Sequence, residues 1–269
     1  MKNQKTLGND NLIQNDEEVI SEYLKKNNLN MVNKNSVKVN PKNTIYTRYI
    51  KRFLDLLISI PAFILFLPLN CIIGICTFFD VGRPIFYKQT RVGKNGKNFV
   101  IIKFRNMNEK KDSNGKLLPP SERVTKFGKF IRKLSLDELL NFYSVIKGDM
   151  SIIGPRPLPV TFVSRMSGRH RKRDSVRPGL ECPRIIYENP NISQYQNQFE
   201  NDIWYVENVS LITDIRMIVL LIKMTINFKK RNKAAGGASY FVGYDENGNA
   251  TSVTQFLKDH PSFFETNKE

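Results

Sequence analysis

Phe53 to Phe79 reads F-L-D-L-L-I-S-I-P-A-F-I-L-F-L-P-L-N-C-I-I-G-I-C-T-F-F, and its only charge is Asp55, close to the start. The run exceeds the roughly 20 apolar residues that carry a helix across a bilayer. It is apolar on every face, which separates it from the one-sided helix of a soluble core. Pro61 and Pro68 each remove a backbone donor and favour a kink. Arg48, Lys51 and Arg52 lie before it, and Arg83, Lys88, Arg91, Lys94 and Lys97 lie after it. Basic flanks tend to stay cytoplasmic, and here both flanks are basic. A membrane helix that enters, breaks at Pro68 and returns to the same face satisfies both features. A straight, kinked span is the competing arrangement.

Working outward, the 269 residues suffice for one substantial domain or two small ones. There are 42 Lys and Arg against 25 Asp and Glu, a net charge of +17 with a pI near 9.8. Such a surplus implies an anionic partner: nucleic acid, anionic lipid or a phosphorylated substrate. Three cysteines, two of them inside the apolar run, form no disulfide framework and fit a reducing, cytosol-facing location. Residues 1–43 hold eleven asparagines and little periodicity. They read as a disordered polar arm with at most a short helix at Val19–Leu24, and they lack the apolar core of a signal peptide. Without them the chain keeps 35 basic and 20 acidic residues, so its charge belongs to the folded body.

After the apolar run, P-I-F-Y-K-Q and F-V-I-I-K-F are short β-rich stretches separated by Asn95-Gly96, a hairpin-turn signal. The intervening Gly and Lys match neither a P-loop nor a dinucleotide fingerprint. A polar loop over 108–122 leads to a basic cluster at Lys126, Lys129, Arg132 and Lys133. The segment Leu134 to Pro157 follows, L-S-L-D-E-L-L-N-F-Y-S-V-I-K-G-D-M-S-I-I-G-P-R-P. Leu136, Leu139, Leu140, Tyr143 and Ile146 fall at helical spacing, with Ser135 and Glu138 placed as a capping box. Asp137 and Glu138 are therefore either ordinary partners of a helix start or chemical groups. Arg156 in G-P-R-P and Arg177 in V-R-P-G are held by proline, and arginine suits bidentate phosphate recognition. Phe199–Phe228 is helical and apolar-rich, either an interfacial helix or core, and the basic run Lys229–Lys233 suits anionic headgroups.

The chain resembles the bacterial sugar transferases, the monotopic phosphoglycosyl transferases that begin lipid-linked glycan assembly. The motifs that carry the resemblance are K-R-F-L-D at 51–55, Q-T-R-V-G at 89–93, K-F-R-N-M at 103–107, F-G-K-F-I-R-K-L-S-L-D-E-L at 127–139, K-G-D-M-S-I-I-G-P-R-P at 147–157, V-R-P-G at 176–179 and D-I-W-Y-V at 202–206. They run in order from about residue 47 to about residue 230. Two departures stand out: Leu67 occupies the position before Pro68 where serine is common. The continuation after V-R-P-G is L-E-C-P-R, through Glu181, Cys182 and Arg184, in place of T-G-W-A-Q.

The resemblance implies an α+β, mainly helical fold. With the flanking segments as read from composition, the chain would comprise a disordered polar arm (1–43), a re-entrant helix-break-helix segment in the membrane (44–80), a compact cytosolic catalytic domain with a small β-hairpin and interfacial amphipathic helices (81–233), and a C-terminal extension of unassigned role (234–269). It implies transfer of sugar-1-phosphate from a UDP-sugar to polyprenol (undecaprenyl) phosphate, with release of UMP. Asp137 would be the nucleophile, forming a covalent phosphosugar intermediate, and Glu138 would share Mg²⁺ with it or take a proton. Lys103, Arg132, Arg156 and Arg177 would bind substrate phosphates. The setting would be the cytoplasmic face of a bacterial inner membrane, against anionic lipid, with no nucleic-acid partner. A homo-oligomer is compatible with this reading. The rivals are a glycosyltransferase releasing UDP and a non-catalytic, membrane-attached protein that binds anions.

Overall fold

The structure, a computed structural model, describes residues 9–186, 188–226 and 240–266. It is mainly helical, with three small two-stranded sheets among the described residues. Helices α1 (Asn9–Asn27) and α2 (Leu29–Lys34) open the chain, and one π-helical turn at Tyr46–Ile50 leads into the long α3 (Lys51–Val81). The 31 residues of α3 make it about 46 Å long at 1.5 Å per residue. The helix continues through Pro61 and Pro68, so the interruption expected at Pro68 does not divide it. The prolines do leave the carbonyls of Leu57 and Ile64 without helical donors.

One face of α3, carrying Asp55, Ser59, Asn70, Ile73, Gly74 and Thr77, is buried, and the remainder is exposed and apolar. Both ends of the helix are tied to the same body. At its start, Arg52 donates to the carbonyls of Val145 (2.6 Å) and Ile146 (2.8 Å), and Asp55 accepts from Ser151 Oγ (2.9 Å) and the Ile152 amide (3.1 Å). At its end, Asp80 accepts from Thr125 Oγ1 at 2.5 Å, and Arg105 donates to the Val81 carbonyl. The K-R-F-L-D motif is thus a staple between the apolar helix and the segment that follows Asp137.

The expected hairpin is present. Strands β1 (Phe86–Val92) and β2 (Asn98–Phe104) pair antiparallel, and Asn95 and Gly96 take positive φ in the connection. Next come the short α4 (Pro120–Arg123), α5 (Lys126–Lys133), a 3₁₀ turn at Leu136–Glu138, and α6 (Asn141–Lys147). Phe104 and Ile131 join Ile73 of α3 in one buried cluster, with Leu136, Leu139 and Leu140 packed against it. The leucines at helical spacing therefore do face the core, but across a turn and a short helix. Ser135 adopts φ 55° and its side chain makes no capping bond, so the predicted capping box does not form.

Strands β3 (Ser151–Ile153) and β4 (Gly179–Glu181) pair in parallel. This brings the two proline-bracketed arginine motifs together at their glycines. A Cβ on Gly179 would stand 2.1 Å from the Gly154 nitrogen, so neither position accommodates a side chain.

The expected single helix over Phe199–Phe228 is two, α7 (Gln194–Asn208) and α8 (Leu211–Ile226). Ser210 Oγ accepts the Thr213 amide, and the Asn208 carbonyl accepts Thr213 Oγ1, which ends one helix and starts the next. Helix α7 is core, burying Phe199, Ile203, Tyr205 and Val206. Helix α8 keeps Ile212, Ile215, Val219 and Ile222 exposed along one side, so the core alternative holds for α7, while α8 has the uncovered apolar face that the interfacial alternative requires. The Asp214 carboxylate gathers Tyr46 Oη (2.5 Å), Lys51 Nζ (2.6 Å) and Tyr205 Oη (2.7 Å), fixing α8 beside the start of α3. Lys229–Lys233 lies outside the described residues.

Residues 9–43 are not the unordered arm expected from composition, because their few apolar side chains find partners at the other end of the chain. Beyond α8, β5 (Phe241–Tyr244) and β6 (Ala250–Ser252) pair antiparallel, followed by α9 (Val253–Asp259) and α10 (Phe263–Thr266). Ile20 and Leu24 of α1 are buried with Val242, Val253, Phe256 and Phe263 in a cluster that neither terminus could form alone. Asn28 Nδ2 donates to the Tyr244 carbonyl at 2.8 Å, and Arg165 pairs with Glu17 at 2.5 Å. The C-terminal extension thus joins the N-terminal helices in a lobe docked on the segment after G-P-R-P, through Leu158, Phe162 and Met166.

Candidate active site

Asp137 and Glu138 sit on the 3₁₀ turn between α5 and α6, and Asp137 is only 7% exposed. Thr125 Oγ1 caps α5 by accepting the Gly128 amide at 2.8 Å. Gly128 lets α5 close on the chain at Asn106: a Cβ there would come within 2.2 Å of the Asn106 carbonyl oxygen. Asn106 is thereby held between the two elements. It donates through Nδ2 to Asp137 Oδ2 at 3.0 Å and accepts from Arg132 at 2.7 Å. Arg132 therefore reaches the carboxylate through an amide relay.

Glu138 is held differently. Its Oε1 accepts from Lys103 of β2 at 2.5 Å and from Arg156 at 2.8 Å. Arg156 also meets Glu181 at 3.3 Å, which the parallel pairing of β3 with β4 brings alongside. The Arg156 main chain is fixed from behind: Arg173 donates to its carbonyl at 2.8 Å. Arg173 in turn pairs with Asp202 at 2.7 Å, both side chains almost wholly buried. This gives the D-I-W-Y-V motif its role, since Asp202 anchors the arginine that positions Arg156.

Two neighbouring acids consequently differ in proton affinity. Burial pushes the Asp137 carboxyl above the usual range, and the Glu138 charge adds to the rise. Burial pushes Glu138 upward as well, but Arg156 and Lys103 more than offset it and hold it below the usual range. One carboxylate is firmly ionised and cation-bound, while the other is destabilised as an anion. Such a pair of environments is typical of functional sites.

Of the residues expected to act together, Asp137, Glu138, Lys103, Arg132 and Arg156 converge. Arg177 does not join them. Its Nε donates to the Gly148 carbonyl at 3.0 Å, at the C-terminal end of α6, while the acids precede its N-terminal end. Sequence reasoning passed over Asn106 and Glu181. Asn106 lay inside a quoted motif but carries no charge, and Glu181 lay where the chain departs from the common pattern.

Among the described residues, no three His, Cys, Asp or Glu side chains group as a metal site. Asp137 and Glu138 nevertheless fit Mg²⁺ as it is usually bound, by one or two carboxylates with the remaining positions filled by water and substrate phosphate. The mutual repulsion that raises Asp137 is what a cation would relieve.

A destabilised carboxylate beside a cation-bound one, carried on a body stapled to an exposed apolar helix, is an arrangement suited to an anionic group held next to an apolar surface. The chain belongs to the bacterial sugar transferase family, whose model matches residues 46–228. It is 40% identical over 146 residues to the uncharacterized sugar transferase EpsL of Bacillus subtilis, covering 54% of this chain and 72% of that protein. It is 35% identical over 182 residues to the UDP-N-acetylgalactosamine-undecaprenyl-phosphate N-acetylgalactosaminephosphotransferase of Aeromonas hydrophila, covering 65% of this chain and 43% of that one. It is 31% identical over 186 residues to the UDP-glucose:undecaprenyl-phosphate glucose-1-phosphate transferase of Escherichia coli, covering 65% and 40%. The chain thus spans less than half the length of the latter two proteins.

Proposed function

We propose that this protein moves sugar-1-phosphate from a UDP-sugar to undecaprenyl phosphate, starting polysaccharide assembly at the cytoplasmic face of a bacterial inner membrane. The observation that carries the proposal is the buried, destabilised Asp137 carboxylate beside three cationic side chains, Lys103, Arg132 and Arg156. An Asp137 oxygen attacks the sugar-bearing phosphorus, and the bond from that phosphorus to the UMP oxygen breaks. An oxygen of the lipid phosphate then attacks the same phosphorus and frees Asp137, the two-step logic of a covalent intermediate. Arg156 and Lys103 offset the charge of the diphosphate, and the Arg132–Asn106 relay aims the carboxylate. Bound Mg²⁺, held by Asp137 and Glu138, would supply further positive charge against the diphosphate.

Re-entry of α3 belongs to the same proposal. A straight crossing would require its two ends to face opposite compartments, whereas Arg52 and Asp80 both bind elements of one folded body. Polar flanks on one side and an exposed apolar middle support a helix that stays continuous through Pro68, bends where the proline removes a donor, and leaves by the face it entered. Single cysteines introduced at Lys25 and Lys110 should both be labelled from the cytoplasmic side alone, and labelling from opposite sides would establish a span.

The reaction is tested with a panel of UDP-sugars radiolabelled in the β-phosphate, the one attached to the sugar, and undecaprenyl phosphate. Label moving to the lipid with release of unlabelled UMP is the expected result. Label retained in released UDP would make the protein a glycosyltransferase and overturn the proposal.

A further inference from the structure

A second polar site lies at the far end of α6 from Asp137. A cavity of about 500 Å³ is lined by Lys42, Arg48, Lys51, Lys94 and Arg177, with Asp55 as its single acid. None of Asp137, Glu138, Lys103, Arg132 or Arg156 lines it. Lys51 is paired with Asp214, whereas Arg48 donates to Asn43 Oδ1 and Arg177 to the Gly148 carbonyl, and among the described residues none of Lys42, Arg48, Lys94 and Arg177 forms an ion pair with a carboxylate. Ser175 Oγ, also on the wall, is buried without a hydrogen-bond partner. Burial and the Arg177 guanidinium hold the Lys94 ammonium below its ordinary proton affinity, the mark of a cation lacking an anion.

A second cavity of about 210 Å³ shares Lys51 and Asp55 with the first and is otherwise mostly apolar, lined by Leu54 and Ile58 of α3 and by Leu211, Ile215 and Ile218 of α8. It opens between the two helices whose outer faces are exposed and apolar, with Ile212 80% exposed and Phe53 64% exposed. A basic chamber and an apolar cleft lie side by side at the start of α3, with Lys51 and Asp55 common to both walls, and together they match an amphiphile: an anionic head and a hydrocarbon tail.

We propose that this double cavity binds a phosphate ester carrying a hydrocarbon chain, and that its occupant is an anionic bilayer phospholipid rather than a reacting substrate. The phosphate sits among Lys42, Arg48, Lys94 and Arg177, and the first methylenes run between α3 and α8. The reacting carboxylates do not reach the chamber, so the bound lipid is a fixture that seats the start of α3 in the bilayer. Binding at the site rests on the cavities alone, whereas the exclusion of a reacting substrate rests on the reaction proposed for Asp137.

The test measures binding of dioctanoyl phosphatidylglycerol, farnesyl phosphate and inorganic phosphate to the full chain in neutral detergent, without any turnover assay. Saturable binding of phosphatidylglycerol is expected, weakened about tenfold or more in K42Q/K94Q, where charge-assisted contacts are lost. Ile215→Trp, which fills the apolar cleft, should weaken phosphatidylglycerol while leaving inorganic phosphate unchanged. Circular dichroism should show both variants folded, with K42Q/K94Q melting no lower than the wild type, because neither lysine is in an ion pair and the Lys94 charge is opposed by burial and Arg177. Binding unaffected by either variant would overturn the site. Inorganic phosphate binding as tightly as the lipid would overturn the amphiphile, and preference for farnesyl phosphate would overturn the assignment to a bilayer lipid.

Discussion

Arg156 and Arg177 begin from nearly reversed sequences, Gly-Pro-Arg-Pro and Val-Arg-Pro-Gly, and their backbones touch at Gly154 and Gly179. Their side chains nevertheless end in opposite company. Arg156 lies between two carboxylates, Glu138 and Glu181, whereas Arg177 binds a carbonyl and lines a chamber of other cations. Proline fixes where an arginine's main chain runs, but the element opposite decides what the guanidinium does. For Arg156 that element is the acid-bearing 3₁₀ turn; for Arg177 it is the carbonyl end of α6, already occupied by Arg52. In the roles proposed above, one arginine serves chemistry and the other attachment.

The contrast is sharpest at Asp137, the neighbour of the Glu138 that Arg156 binds. Asp137→Asn should lower turnover at least about 1,000-fold, as expected for a nucleophile. It should also raise the melting temperature at neutral pH. Because folding raises the Asp137 carboxyl above its unfolded range, the ionised form opposes the folded state there, and an uncharged amide removes the opposition. A lower melting temperature would contradict the assigned environment.

Arg156→Gln should reduce kcat/KM about 100-fold by removing a donor aimed at developing charge. Arg177→Gln, in the same donor assay, should lose only a small part of that. Equal losses would break the distinction between the two arginines.

Asn106→Ala should cost about tenfold in kcat with little change in the KM for UDP-sugar, because the relay orients Asp137 and does not hold the substrate. A loss confined to KM would assign Asn106 to binding instead.

The smallest effect is on pH dependence. Activity should fall as pH drops into the raised range of Asp137. Lys103→Met removes a charge that favours the ionised form and should move this acid limb to higher pH; Glu138→Gln removes the opposing charge and should move the residual activity's limb lower. Shifts in the same direction would show that the limb does not report Asp137.

Much of the site was legible in the sequence because it consists of charged residues in ordered motifs, and Asp137, Glu138, Lys103, Arg132 and Arg156 are where those motifs meet. What sequence could not convey was pairing across distance. Glu181 becomes a partner of Arg156 only through the parallel pairing of Ile153 with Glu181, and Asn106 matters only because Gly128 lets α5 approach it. The same limit explains the misread N-terminal helices. Composition measures how much apolar surface a segment owns, whereas Ile20 and Leu24 bury themselves in Val242 and Phe256, more than 200 residues away. Local spacing misled at Ser135 for a related reason. The turn geometry required to present Asp137 displaced the regular helix start that the pattern favours.

The staples on α3 also impose an order of events during synthesis. The partners of Arg52 and Asp55 are made 93 to 97 residues later, and the partner of Asp80 45 residues later. When the helix emerges from the ribosome, nothing yet exists for it to dock on. In the proposed membrane setting, lipid would receive its apolar surface first, and the body that carries Asp137 would close onto a helix already in place. In the membrane setting proposed above, the bilayer would then be the template on which the site is assembled as well as the surface where it works.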